Sequence, residues 1–395
     1  MGESASRPPG PSDSPRPLTV LYVDHADGMG GAEHSLLALL EALDPSRVRP
    51  LLAAVPGPLA DAARELGVAV HLVPLTQLKG HASALVRLAR GVAPLVALIR
   101  RERVDVVHAN VLRAAVYAAP ASQVTRKPLV WHVRDILAPD RTTRRLCARA
   151  AAVIAISEAV RNALPCAERA RVIYNPVAVP PPQPRSRADL GLPADGLLVA
   201  SVGRMRAWKG HGAFLEAAAR VRHPDARFVV IGGRVFTDER NELDLPRQLE
   251  SRAAELGLAG RVTFLGHRDD LADIWPHLAV VAHTADAEPF GRVVAEAQVA
   301  GIPVAAFRDG GVPEIVADGE TGLLVPAGDV AALGAAIDRL LGDPEMRGRM
   351  GAAGRVRAAA RFDPGGHARA VERVYAGVVG RRGESRSEKD YPAGS

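Results

Sequence analysis

The chain has 395 residues, 48% hydrophobic and 24% charged, with 50 Lys and Arg against 44 Asp and Glu. That length favours two domains, and a mean hydropathy of +0.03, with no apolar run near the roughly 20 residues of a spanning helix, excludes a disordered or membrane-embedded chain. The net charge of +6 is mostly scattered arginine and aromatics are only 4%, which argues against nucleic acid, since single-strand readers interleave aromatic with basic side chains.

In chain order, Met1–Pro17 is Pro- and Ser-rich without an apolar h-region. It reads as a disordered tail, not a secretory signal, and a cytoplasmic location is expected. Short β-branched runs then alternate with Ala- and Leu-rich helical stretches, the pattern of a parallel sheet flanked by helices. Strands are expected at Leu18–Asp24, Pro50–Val55, Ala69–Val73, Val104–His108, Leu129–His132, Val153–Ser157 and Val172–Tyr174, with helices such as Ala32–Leu43 between them. Two basic, partly amphipathic stretches, Leu85–Arg103 and Arg141–Arg149, are candidates for peripheral contact with the inner face of a membrane. Cys147 and Cys166 lack metal-ligand spacing and are expected to be reduced thiols.

Asn175–Arg187 (NPVAVPPPQPRSR) is Pro-rich and interrupts the alternation. The alternation resumes at Leu197–Val202, Phe228–Ile231, Val262–Leu265, Val280–His283, Val304–Phe307 and Gly322–Val325, followed by helices at Asp329–Leu341, Pro344–Arg361 and Pro364–Val379. The expected organisation is a Rossmann-like domain over 18–180, a linker at 181–187, a second Rossmann-like domain over 188–363, a helix over 364–380 returning toward the first domain, and a disordered tail over 381–395. Ligands of such sheets bind beyond the carboxyl ends of the strands, so function belongs in the loops there.

Three of those loops carry unusual residues. Gly28-Met29-Gly30-Gly31-Ala32-Glu33 joins the first strand to a helix, where glycines admit a close ligand and free N–H groups attract an anion. Glu33 stands where a dinucleotide fingerprint needs glycine, so a dehydrogenase is disfavoured. In Gly203–Gly210, Arg204 and Lys209 straddle a turn, a fork and a point charge able to hold one pyrophosphate. In Glu288-Pro289-Phe290-Gly291-Arg292-Val293-Val294-Ala295-Glu296 the two carboxylates would stand roughly 12 Å apart on a continuous helix. Such a span suits contacts to two parts of an extended ligand, with the N–H groups of Phe290 and Gly291 aimed at phosphates between them.

Taken in order, G-G-A-E at Gly30–Glu33, V-x-A-x at Val107–Asn110, G-R-x-x-x-x-K-G at Gly203–Gly210, E-P-F-G-x-x-x-x-E at Glu288–Glu296 and G-G-x-x-E at Gly310–Glu314 make the chain resemble the retaining glycosyltransferases of family 4. The resemblance implies an α/β, GT-B fold: two Rossmann-like, doubly wound domains facing across a cleft. It implies transfer of a sugar from a UDP- or GDP-linked donor to a hydroxyl acceptor, with neither metal nor cofactor. Arg204 and Lys209 would clamp the diphosphate, Glu288 the donor sugar and Glu296 the ribose, and His132 in WHVRD would stand near the sugar; Gly30, Gly31, Phe290, Gly291 and Val293 would line the donor site. Asn110 stands where many family members have histidine, and acceptor contacts are expected around Gly57–Leu59, Leu75–Ala84 and Asn110–Ala115. A sugar-nucleotide epimerase of similar shape and a non-catalytic sugar-nucleotide binder are the alternatives, separated by assaying donor turnover and transfer.

Overall fold

A computed structural model describes residues 16–76, 81–233 and 244–387. Residues 77–80, within the expected acceptor segment Leu75–Ala84, lie outside these, as do 1–15 and 388–395 of the two tails. The first sheet contains β1 (Leu18–Val23), β2 (Val48–Ala54), β3 (Ala69–Leu72), β4 (Val106–Ala109), β5 (Leu129–Val133), β6 (Ala152–Ala155) and β7 (Ala170–Val172). The second contains β8 (Leu197–Val202), β9 (Ala226–Ile231), β10 (Val262–Gly266), β11 (Leu278–His283), β12 (Val304–Phe307) and β13 (Gly322–Val325). Their spatial orders are β3-β2-β1-β4-β5-β6-β7 and β10-β9-β8-β11-β12-β13, with parallel pairing throughout.

Both sheets therefore reverse direction of growth once, between β1 and β4 and between β8 and β11. A crevice opens at such a switch point because the helices on either side pack on opposite faces. Every residue of β4 and β5 is buried, as expected of strands covered on both faces.

The strand boundaries differ from the expected ones where local bonds intervene. β4 starts at Val106 because the Asp105 side chain accepts the Thr19 N–H (3.0 Å) and pairs with Arg16. β7 sits earlier than Val172–Tyr174: it pairs with β6 from Ala170, and the Tyr174 carbonyl is taken by His367 Nδ1 (2.8 Å). Cys147 and Cys166 are not free thiols but a disulfide, Cα atoms 5.9 Å apart, joining the helix Arg141–Arg149 to the turn before β7. A separation of 19 residues carried no pairing signal in the sequence.

The linker lies against the second domain, Gln183 N–H donating to Asp273 Oδ1 (2.6 Å) and Arg185 pairing with Asp270 (2.5 Å). Between the domains, Tyr174, Phe290 and Phe362 pack ring to ring with centroids 5.4–6.3 Å apart; Phe362 meets the other two edge-on, the geometry that aromatic quadrupoles favour. The last helix runs Pro364–Ser387, beyond the expected 364–380 and into the stretch expected as a disordered tail. It covers the first domain: Val371, Val374 and Val378 join the core beneath Val20 and Leu36, and the Tyr375 hydroxyl bonds Tyr22 (2.9 Å) and His108 Nδ1 (2.7 Å). Among the described residues no helix is long and apolar enough to cross a membrane. The two basic stretches fall on the helices His81–Arg101 and Arg141–Arg149; the first leaves Leu85 71% exposed.

Candidate active site

A cleft of about 1490 Å3 lies between the domains, over the carboxyl ends of β1, β4, β5, β8 and β11. On the second domain β8 ends in the turn Gly203–Gly210, placing Arg204 and Lys209 in the cleft wall. His211 holds this turn from below: its Nε2–H meets the carbonyls of Gly203 (3.3 Å) and Arg204 (3.2 Å), while Nδ1 accepts from the Ser201 hydroxyl (3.0 Å). Burial keeps that imidazole neutral, its pKa lowered to about 4, so the tautomer can serve both roles. Gly210 has φ +74 and a Cβ there would meet the Thr284 carbonyl oxygen at 2.0 Å, so no other residue fits.

The loop after β11 brings Glu288 to Lys209. The Lys209 ammonium donates to Glu288 Oε2 (2.6 Å), and His283 Nε2 lies 3.3 Å from the same oxygen. Burial by itself would push this carboxyl up, but Lys209 and His283 outweigh it and bring it down to about 2. Glu288 is therefore an anion at any working pH and an acceptor of hydrogen bonds, not a proton donor. Its loop is held by Asp309, which accepts the Ala287 N–H (2.6 Å), and by the Gly311 N–H on the Glu288 carbonyl (2.7 Å). Ala287 sits at φ +48, a left-handed conformation that a non-glycine residue adopts only where surroundings impose it.

Gly291 (φ +99) starts the helix Arg292–Ala300 with no side-chain cap, leaving N–H groups of its first turn toward the cleft. Gly291, Val293 and Glu296 line the cleft, as does Phe290, whose ring forms part of the interdomain aromatic cluster. Glu296 pairs with Arg292 (2.7 Å); burial raises its carboxyl and Arg292 pulls it back.

On the first domain Gly30 and Gly31 line the cleft at the start of the helix Gly31–Ala42. Glu33 caps this turn, accepting the Gly30 N–H (2.8 Å), and its carboxyl is pushed up to about 7 by burial and then by the Asp24 charge. Asn110 does not reach the cleft. It is fully buried, its amide N–H donating to Asp24 Oδ2 (2.6 Å) and its Oδ1 accepting from Arg134 Nε (2.8 Å). Arg134 continues the chain to Asn175 Oδ1 at the start of the Pro-rich stretch (2.6 Å), and burial lowers its pKa to about 10.

His132 also lies off the cleft. Because β5 extends to Val133, the histidine is inside the strand, fully buried, its ring stacked on His367 (6.1 Å) and tilted against His108 (5.3 Å). The residues from this strand end that line the cleft are Arg134 and Asp135. Asp135 is solvent-exposed yet ringed by protein; burial raises its carboxyl while Arg204 and Arg134 draw it down and Glu288 pushes it up. The expected strand, Leu129–His132, stops one residue short of the observed end at Val133. Asp286, which with Glu288 superficially forms a D-x-E pair, is exposed with its N–H on the Trp208 carbonyl (2.8 Å). Among the described residues no group of three or more His, Cys, Asp or Glu side chains could hold a metal ion.

Two Rossmann-like sheets with facing switch points across a cleft make up the GT-B fold. The chain belongs to the group 1 glycosyltransferases: the model described as "Glycosyl transferases group 1" matches residues 182–357 and that of "Glycosyltransferase Family 4" matches 29–179. Among curated proteins it is similar to the D-inositol 3-phosphate glycosyltransferases of Stackebrandtia nassauensis (40% identity over 185 residues) and Mycobacterium leprae (42% over 158). These matches span 45% and 40% of this chain and only 41% and 36% of the relatives' own length. Among solved structures, Anabaena HepE in complex with UDP and glucose superposes with a TM-score of 0.79 at 28% identity, covering 91% of this chain and 99% of that one. Sucrose-phosphate synthase of Thermosynechococcus elongatus shares the fold, with a TM-score of 0.78 at 23% identity.

Proposed function

We propose that this protein transfers a sugar from a UDP-linked donor to a hydroxyl acceptor with retention of anomeric configuration. The observation that carries the reading is the Lys209–Glu288 pair at 2.6 Å, set with Arg204 across one turn from the uncapped helix start at Gly291. The likeness to HepE, which binds UDP and glucose, supports uridine over guanosine.

In this reading the bond between the anomeric carbon and the diphosphate oxygen breaks, and its electron pair goes to that oxygen. Arg204, Lys209 and the N–H groups near Gly291 stabilise the charge as it develops, while Gly30 and Gly31 let the first domain approach the phosphates. Glu288, anionic and fixed by Lys209 and His283, accepts hydroxyls of the donor sugar; Glu296 accepts those of the ribose. The acceptor oxygen attacks the same face, and its proton passes to the departing phosphate oxygen. No protein nucleophile is needed, and the cationic side chains take the place of a divalent metal. His132 supports the Arg134–Asp135 edge from beneath.

The test is a panel of UDP- and GDP-sugars scored for thermal stabilisation and for donor cleavage with and without acceptors. A UDP-sugar at 100 times its dissociation constant should add about 2.7 kcal/mol of stability. Stabilisation by GDP-sugars alone would contradict the uridine assignment, and acceptor-free release of an epimer would replace transfer by epimerisation.

A further inference from the structure

Arg292 is placed where two local electrostatic rules disfavour it. As the first residue of the helix Arg292–Ala300 it puts a cation at the positive end of the helix dipole. Its partner Glu296 lies four residues later, the weaker order for such a pair. Helix stability therefore does not account for it, and local rules are broken in this way chiefly at functional positions.

Its guanidinium reaches both domains. Nε forms an ion pair with Glu296 Oε1 (2.7 Å), while Nη1 lies 3.4 Å from the Ser35 hydroxyl and 3.4 Å from the Pro176 carbonyl in the Pro-rich stretch between the sheets. The Ser35 proton is already given to the Gly31 carbonyl (2.7 Å), so its oxygen is left to accept from Arg292. A Cβ on Gly31 would stand 3.8 Å from Arg292 Cδ, so the guanidinium stem runs against the glycine turn. The Glu296 carboxylate, held from this side by Arg292, lines the cleft, where it can accept from a ligand.

We infer that Arg292 is a positioning residue that couples the nucleotide site to the first domain: it sets the Glu296 carboxylate toward the ribose and ties that arrangement to Ser35 and Pro176. This rests on the reading of Glu296 as the ribose ligand. A ribose bound by Glu296 then favours the closed cleft, and the closed cleft favours ribose.

Calorimetric titration with UDP and 2′-deoxy-UDP separates the inference from the reading beneath it. Wild type should prefer UDP by roughly tenfold, the value of one hydrogen bond to a charged group. Glu296→Gln and Arg292→Ala should each lose most of that preference. Ser35→Ala should weaken UDP severalfold in wild type but not in the Arg292→Ala background, since residues in one network are non-additive. Arg292→Lys, which keeps a donor for Glu296 but cannot span to Ser35 as well, should retain the UDP preference and lose the Ser35 coupling; it carries the test if the alanine variant does not fold. Preference lost in Glu296→Gln but kept in Arg292→Ala, or additive Ser35 and Arg292 effects, would overturn the inference alone. No preference in wild type would overturn the reading of Glu296 and the inference with it.

Discussion

The two walls of the cleft hold their charges differently. On the second domain Lys209 pairs with Glu288 and Arg292 with Glu296 at the cleft surface, where a diphosphate and two sets of hydroxyls can share each partner. On the first domain Asp24, Asn110, Arg134 and Asn175 form a buried chain in which each polar end meets another. The second wall is built to exchange partners with a ligand, whereas the first holds strand ends and linker in place; substitutions should therefore alter rate on one side and stability on the other.

The largest effect is expected from Lys209→Ala or Arg204→Ala. Each removes a donor to charge that grows in the transition state, so turnover should fall about 100- to 1000-fold while the UDP dissociation constant moves far less. Steady-state kinetics with calorimetry checks this, and equal loss of affinity with unchanged turnover would assign these cations to ground-state binding. Next comes Glu288→Gln, which should lower turnover about tenfold or more. It should also change the acid limb of stability. With its carboxyl at about 2 in the folded protein, Glu288 contributes stability that is present above its ordinary value near 4.5 and lost as pH falls toward 2. Melting curves of the variant should be flatter across that window.

On the other wall, Arg134→Lys cannot reach Asn110 and Asn175 together, and about 1–3 kcal/mol of stability should be lost, measured by urea unfolding. Rate loss without destabilisation would make Arg134 a ligand contact and erase the contrast between the walls. The smallest effect belongs to Glu33. Its carboxyl, raised to about 7, is protonated in the folded state when the unfolded chain is already ionised, so its contribution is present below about pH 4.5 and lost as pH rises through 7. Glu33→Gln keeps an acceptor for Gly30 and should remove that decline in melting temperature between pH 4.5 and 8.

The same contrast explains what was legible in the sequence. The sheet rhythm was readable from alternating β-branched runs, and the second wall from two short segments, Gly203–Gly210 and Glu288–Glu296, each of which carries its charged residues in a local motif, although Lys209 and Glu288 meet only in the folded chain. The first wall joins Asp24, Asn110 and Arg134 from three strand ends to Asn175, and no spacing connects them. The resemblance carried by WHVRD implies that His132 stands near the donor sugar; the strand runs one residue further than expected and the side chain is buried. His211 and His283 support Arg204 and Glu288 only through the folded turn, and the Cys147–Cys166 disulfide needs the helix and turn to be packed first.

The central claim, that side-chain cations and helix N–H groups drive retaining transfer, is tested most directly by proton NMR of a donor reaction run in excess chelator. The donor is an α-linked UDP-sugar, the acceptor a hydroxyl compound or, early in the reaction, water. The account predicts a product with the α configuration, formed at the rate seen without chelator. A β product, or transfer that stops in chelator and returns with magnesium or manganese, would contradict it.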